Sequence, residues 1–473
     1  MAWSESMHRQ MNTGGRIAFG ILIFAALAAA ILARPEKWLT DFDQAFYLSI
    51  AYDLNHHGVF SNGVFDDVDS TQERPPPGLF FAPLYPALIV AVTRLDPRFR
   101  RAVDCVIELG HNAQDRSECE VYARPMLLIH ALLLALGVLA IARAAETIFE
   151  NRALFWFTGV LATIALIPDA DLFAFVMTES LTFCLYGMAS LAMVLALKRP
   201  GISNTVTTGV LFGLLCLTRA SFMVLAPVLV MLFAINGRWI AKTGLRATAT
   251  QCLLFAVAFA AVLGPWIVRN GVSAGKWAMS EEYGSAAIIE RFAYDDMTWR
   301  EFLLAFPYCL PEIGEPIVDR TFGPRAMERF VYYSPQSFFH VGRAHRDQLN
   351  AANGRLDPLI GDIVRDEMRE RGWWYFAVAI PLGWCGMWIG GYLGLLLVPT
   401  FVWAAVAALR RDRPLFLLYA APPFVMLGLH ALLANHYTRY NLILIGPFCA
   451  SAAWIMTSVA ARARSRWRAR ARE

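Results

Sequence analysis

Residues 17–33 read IAFGILIFAALAAAILA, with Arg16 before them and Arg34 after them. A bilayer core of about 30 Å needs about 20 apolar residues in a helix, and a run of about 17 is the lower bound. The small residues Ala28 to Ala30 would suit signal-peptide cleavage, but signal cores are usually about 7–15 residues long. The run therefore reads as a retained first membrane span. Working outward, similar runs recur at about 125–142, 153–168, 180–197, 204–218, 222–236, 250–268, 389–409, 414–433 and 441–459. That makes about ten spans. Backbone polar groups in lipid need internal partners, so the spans are expected as helices. Two shorter apolar stretches with Pro or Gly, Leu79–Thr93 and Phe376–Trp388, read as helices lying at the membrane surface.

The composition agrees. Of 473 residues, 57% are hydrophobic and 17% charged, and the mean hydropathy is +0.45. Soluble domains carry about 25% charged residues. The balance excludes an ordinary soluble enzyme, a disordered chain, a collagen and a disulfide-dense secreted module. The expected fold is one all-α polytopic membrane domain over 1–473, without internal repeats.

The net charge of +4 is spread unevenly. Arg143, Arg152, Lys198, Arg199, Arg238, Lys242, Arg246, Arg410, Arg411 and Arg413 follow alternate spans. The tail 460–473 adds Arg462, Arg464, Arg466, Arg468, Arg470 and Arg472. All fall on one side if both termini are cytoplasmic. The tail reads as an anchor near anionic lipid, and no fold signature supports nucleic-acid binding. Two hydrophilic regions, 34–124 and 269–373, are then expected on the outer face, with a short acidic loop from Pro168 to Glu179. The second region is too long for a structureless loop, so ordered helices are expected there. Position and length make it a candidate lid over a site on the outer face. Trp373-Trp374-Tyr375 resembles an interfacial aromatic belt.

Cys184, Cys216, Cys252, Cys385 and Cys449 lie in or near spans and are expected to behave as small apolar residues. Cys105, Cys119 and Cys309 lie in the outer regions, and proximity in one loop predicts a Cys105–Cys119 bridge. Neither the cysteines nor His56, His57, His340 and His345 have metal-ligand spacing, so no metal site is assigned.

The first outer region opens Thr40-Asp41-Phe42-Asp43-Gln44-Ala45-Phe46-Tyr47-Leu48-Ser49-Ile50-Ala51. Thr40 or Asp41 is a candidate helix cap, because such side chains accept unpaired N–H groups. The other aspartate is left for acid–base work. Glu73-Arg74-Pro75-Pro76-Pro77 and Ala82-Pro83-Leu84-Tyr85-Pro86-Ala87-Leu88-Ile89 follow. Proline stiffens this connection. Further on stand Gly213-Leu214-Leu215-Cys216-Leu217-Thr218-Arg219, then Pro265-Trp266-Ile267-Val268-Arg269-Asn270, then Arg439-Tyr440 at the opening of the last span.

In this order the motifs resemble the GT-C membrane glycosyltransferases over roughly 16–460. Within that group they are similar to the bacterial protein O-mannosyltransferase-like and lipid A aminoarabinose transferase-like families. Those families commonly carry D-E-x-x-Y-x-x-x-A after the first span. Here Asp43 and Tyr47 match, and Gln44 replaces the second acid, which Asp41 or Glu179 would have to supply. The resemblance implies a plasma-membrane enzyme of bacteria. It would move a sugar from a polyprenyl-phosphate carrier to a lipid, glycan or protein acceptor on the outer face. By carry-over Asp43 is the general base, and the transfer inverts the anomeric centre. Arg219, Arg269, Arg439 and Arg74 are candidate phosphate ligands, since guanidinium pairs well with phosphate. Interfacial snorkelling is the alternative for each. Tyr47, Asn270, His436 and Tyr440 are candidate substrate contacts. Glu179 is a costly acid at membrane depth unless paired or used, or else a charge favoured at a helix start. The resemblance leaves a divalent cation open as a cofactor. It also leaves a flippase of lipid-linked sugars or a non-catalytic partner subunit as other readings.

Overall fold

The computed structural model describes residues 2–63, 74–109, 118–281, 284–353, 359–434 and 438–470. The chain begins with α1 (Ala2–Leu32), and the first hydrophilic region holds α2 (Gln44–His56), α3 (Leu84–Leu95) and α4 (Pro97–Leu109). Then come α5 (Arg124–Phe149), α6 (Ala153–Leu166), α7 (Ala170–Phe173), α8 (Glu179–Lys198) and α9 (Ile202–Cys216). Next are α10 (Leu225–Ile235) and α11 (Leu245–Ala274). The second hydrophilic region folds into α12 (Gly284–Phe292), α13 (Trp299–Tyr308), α14 (Gly314–Phe322), α15 (Phe338–Asn353) and α16 (Ile360–Arg371). The chain closes with α17 (Trp373–Met387), α18 (Gly394–Arg410), α19 (Pro414–Leu433) and α20 (Ile445–Arg470). Among the described residues there is no strand.

Eight helical segments are long and apolar enough to cross a membrane: Thr13–Leu32, Arg124–Phe149, Glu179–Lys198, Ala220–Ile240, Leu245–Ala274, Gly391–Arg410, Pro414–Leu433 and Arg439–Ser465. These correspond to eight of the ten expected runs. The other two are shorter. Helix α6 has 14 residues and α9 has 15. At 1.5 Å per residue they rise only about 21 and 22 Å. The expected count of about ten therefore mixed two classes of apolar helix. A sum of hydrophobic residues cannot separate a helix that ends early from one that spans.

Helix α8 is the centre of the bundle. It buries 83% of its most apolar window, against 17% for α11 at the periphery. The core around it is aliphatic and aromatic, with Leu134, Val138, Phe183, Met193, Phe212 and Phe448 buried together. Apolar side chains on the periphery, such as Leu253, Val257 and Val272 of α11, remain exposed. That pattern suits a lipid solvent.

Ion pairs distinguish the two ends. Arg16 near the start of the first span pairs with Glu146 near the end of α5 at 2.8 Å, and Arg143 joins them at 2.7 Å. Lys198 at the end of α8 reaches Glu150 at 2.7 Å. One end of the bundle is thus basic and collects the start of α1 with the ends of α5 and α8. The end of α1 and the start of α8 lie at the other.

Disulfides staple the hydrophilic regions. Cys105 and Cys119 are bonded, which ties α4 to the strand of chain leading into α5. Cys309 bonds to Cys385. This corrects the expectation that Cys385 serves as a small apolar residue. Helix α17 packs beside α13, and the partner lies 76 residues away in sequence. Four cysteines, Cys184, Cys216, Cys252 and Cys449, are free. Alkylation of the denatured, unreduced protein should therefore add four labels, and prior reduction should raise this to eight. Eight labels without reductant would contradict both bridges.

The second region is fastened to the bundle by Arg291, whose side chain is fully buried. It meets Asp295 at 2.6 Å and donates to the carbonyls of Ala431 at 3.1 Å and Tyr375 at 3.0 Å. One guanidinium thereby joins α12, α17 and the end of α19. Asp295 is pushed up to about 6 by burial, an effect that Arg291 opposes.

Candidate functional site

Asp43 stands immediately before α2, and its side chain does not cap that helix. The cap position of α2 thus falls on Asp43 and not on Thr40 or Asp41 as expected. The Asp43 carboxylate meets Arg439 instead, with Nη2 to Oδ2 at 3.0 Å. The residue before it, Phe42, has φ +57°. A non-glycine residue in this left-handed region costs about 1–3 kcal/mol and needs support from its surroundings. Here the Phe42 ring packs edge-on against Phe175 at 5.3 Å. This kink changes the chain direction just before Asp43.

Gln44 uses both ends of its side-chain amide. It is fully buried. Its side-chain oxygen accepts the Val176 N–H at 3.0 Å, while its nitrogen donates to the Trp38 carbonyl. The amide thus clamps the start of α2 between the turn behind it and the segment leading into α8. A carboxylate could accept from Val176 but could not donate to Trp38 when ionised. Gln44→Glu should therefore lower stability by about 1–3 kcal/mol, the cost of an unsatisfied buried group. A lower unfolding temperature in detergent is the measurement. An unchanged temperature would mean that the clamp contributes nothing.

Glu179, at the first position of α8, is 4% exposed. Its Oε1 lies 3.7 Å from Arg219 and 3.8 Å from Arg439. Its Oε2 is buried without a hydrogen-bond partner. Tyr440 packs beneath both arginines, with guanidinium carbons 4.8 Å (Arg219) and 5.1 Å (Arg439) from its ring centre. The four charged groups Asp43, Glu179, Arg219 and Arg439 sum to zero. They come from the starts of α2, α8 and the last span and from the end of α9, so these ends converge.

A small cavity of about 10 Å³, room for about one water, lies among Glu179, Arg219, Arg439, Tyr440 and His430. His430 Nδ1 lies 3.2 Å from Asn441 Oδ1. Neither His430 nor Asn441 was singled out in the sequence, because a lone histidine inside an apolar run carries no motif. Tyr47 packs on Tyr85 at 5.3 Å between ring centres, and Tyr85 bonds to His130 at 2.9 Å. A wider groove of about 950 Å³ lies beside the Cys309–Cys385 bridge, with Glu312, Glu315, Asp319, Tyr308 and Trp388 along it. At Gly386 of α17 a Cβ would come 2.6 Å from Asn441 Nδ2 and 2.8 Å from Leu427 Cδ1, so a side chain there would have to displace both.

Other candidates lie elsewhere. Arg269, a candidate phosphate ligand, does not line the small cavity. Its guanidinium donates to the carbonyls of Gly78 and, at 2.8 Å, Phe60, and to Asn270 Oδ1 at 3.0 Å. It is a clamp on the first hydrophilic region. Asn270, expected at the substrate, is fully buried and donates to the carbonyls of Ala278 at 2.8 Å and Met279 at 3.2 Å. Arg74 is exposed in the extended segment 74–79. Asp41 is half-buried in the turn before α2, where its N–H bonds to the Trp38 carbonyl at 3.0 Å. His436 lies outside the described residues. Among the described residues, no group of three or more His, Cys, Asp or Glu side chains gathers as a metal site.

No family model matches the chain, and no curated protein matches it significantly.

Proposed function

We propose that this chain is a multi-pass glycosyltransferase with a GT-C-type bundle, using a polyprenyl-phosphate sugar as donor. The observation that supports this most is the convergence of Glu179, Arg219 and Arg439 on one small cavity, with Asp43 paired to Arg439 beside it. A membrane-edge pair of arginines suits a lipid phosphate, whose charge must be met while its chain stays in lipid. A carboxylate beside them suits proton removal from an acceptor hydroxyl. In this reading the basic end faces the cytoplasm and the cavity faces the outer side of the bacterial plasma membrane.

The reaction then follows. Arg219 and Arg439 hold the phosphate and stabilise the charge that grows as it leaves. Asp43 takes the proton from the acceptor hydroxyl. The hydroxyl oxygen attacks the anomeric carbon from the opposite face, and the sugar inverts.

The test is direct. The purified chain in lipid nanodiscs, given a polyprenyl-phosphate sugar and an envelope extract, should release free polyprenyl phosphate and form a new glycosidic bond. Movement of the donor across the bilayer without a new bond would instead assign a transporter.

A further inference from the structure

The contact between Asp43 and Arg439 poses a chemical problem. A base neutralised by a guanidinium is a poor proton acceptor, and an arginine occupied by a carboxylate is a poor phosphate ligand. We propose that Arg439 is an exchange residue: it pairs with Asp43 in the empty site and turns to the donor phosphate when the carrier binds. The proposal rests on the glycosyltransferase reading above.

Three observations support it. The contact uses one guanidinium nitrogen and one carboxylate oxygen, at 3.0 Å. A phosphate can take two parallel bonds from the same group, so it competes well. The pair is also partly open, with Asp43 32% and Arg439 24% exposed, and such pairs are weak. Finally, Glu179 keeps a buried negative charge 3.8 Å from Arg439 and 3.7 Å from Arg219. This charge holds both guanidiniums near the cavity after Asp43 has been released, which makes Glu179 a positioning residue.

The exchange couples binding to chemistry. Once the phosphate has taken Arg439, the Asp43 carboxylate is free to accept the acceptor proton. The acceptor oxygen bonds to the anomeric carbon, and the bond from that carbon to the phosphate oxygen breaks. Its electron pair stays on the phosphate, where Arg439 now stands. Without a donor the base remains masked.

The experiment measures binding of undecaprenyl phosphate, with undecaprenol as control, by native mass spectrometry. Wild type, Asp43→Asn, Arg439→Gln and the double variant are compared at equal thermal stability in detergent. Removing the competing charge should make Asp43→Asn bind about three- to tenfold more tightly than wild type, and Arg439→Gln about tenfold more weakly. The double variant should bind no better than Arg439→Gln, because the gain needs the arginine. Equal or weaker binding by Asp43→Asn overturns the exchange, as does a gain that persists in the double variant. Those results leave phosphate recognition standing. If no form prefers undecaprenyl phosphate to undecaprenol, the exchange fails together with the reading beneath it.

Discussion

Asp43→Asn is expected to lower turnover by about 10²- to 10⁴-fold, the usual contribution of a positioned general base. The substitution keeps the shape of the side chain and removes its charge. Asp43 is partly exposed and does not cap α2, so folding should survive. The informative pattern is therefore a split: turnover collapses, while affinity for the phosphate carrier does not. Arg439→Lys should instead lower affinity and turnover together, because lysine keeps a charge but loses the paired geometry used to hold the phosphate and to stabilise its departure. Turnover of Asp43→Asn near that of wild type would remove Asp43 as the base. The candidate would then move to Glu179, whose second oxygen is buried and unpaired among the described residues.

The second large effect falls on stability. Arg291→Met should destabilise the protein by about 3–5 kcal/mol, because breaking a buried pair leaves its partner uncompensated. The stranded group is Asp295, and the carbonyls of Ala431 and Tyr375 lose a donor as well. The loss should depend on pH. Burial raises Asp295 to about 6 in the folded protein, above the unfolded value near 3.9. A raised carboxyl gives stability that is complete below the unfolded value and is lost as pH rises through the folded one. Without Arg291 the folded value rises further. The variant should thus unfold at a lower temperature at pH 7.5 than at pH 5, and Asp295→Asn in the same background should flatten the difference. A variant that unfolds like wild type at both pH values would show that the pair fastens nothing.

The sequence carried some of this plainly. Eight spans appear as uninterrupted apolar runs, because lipid demands the same chemistry at every position across it. Asp43, Glu179, Arg219 and Arg439 were legible as charges next to such runs, where a charge is conspicuous. What escaped notice was bonding to backbone. Arg269 lies in a motif as suggestive as that of Arg219, yet its partners include the carbonyls of Gly78 and Phe60, which leave no mark in residue identity. Gln44 looked like a lost acid until its two backbone partners were placed. Cys385 looked apolar because its neighbours are, and its bonded partner lies 76 residues away. His430 joins the cavity only because the chain returns through Asn441 to meet it.

The shortness of α9 has a consequence for the bilayer itself. Its 15 residues rise about 22 Å, roughly 8 Å less than an average hydrocarbon core. If its start lies level with one layer of headgroups, Arg219, just past its end, lies below the opposite layer. Lipid beside it must thin or tilt to meet the protein, at a cost of fractions of a kcal/mol per ångström. A long isoprenoid carrier would therefore not have to be lifted out of the membrane to bring its phosphate to the guanidinium. On the proposed reading, such a dip would bring the phosphate toward the depth of the arginine. Thicker bilayers should deepen that dip and slow the protein, independently of any change in its residues.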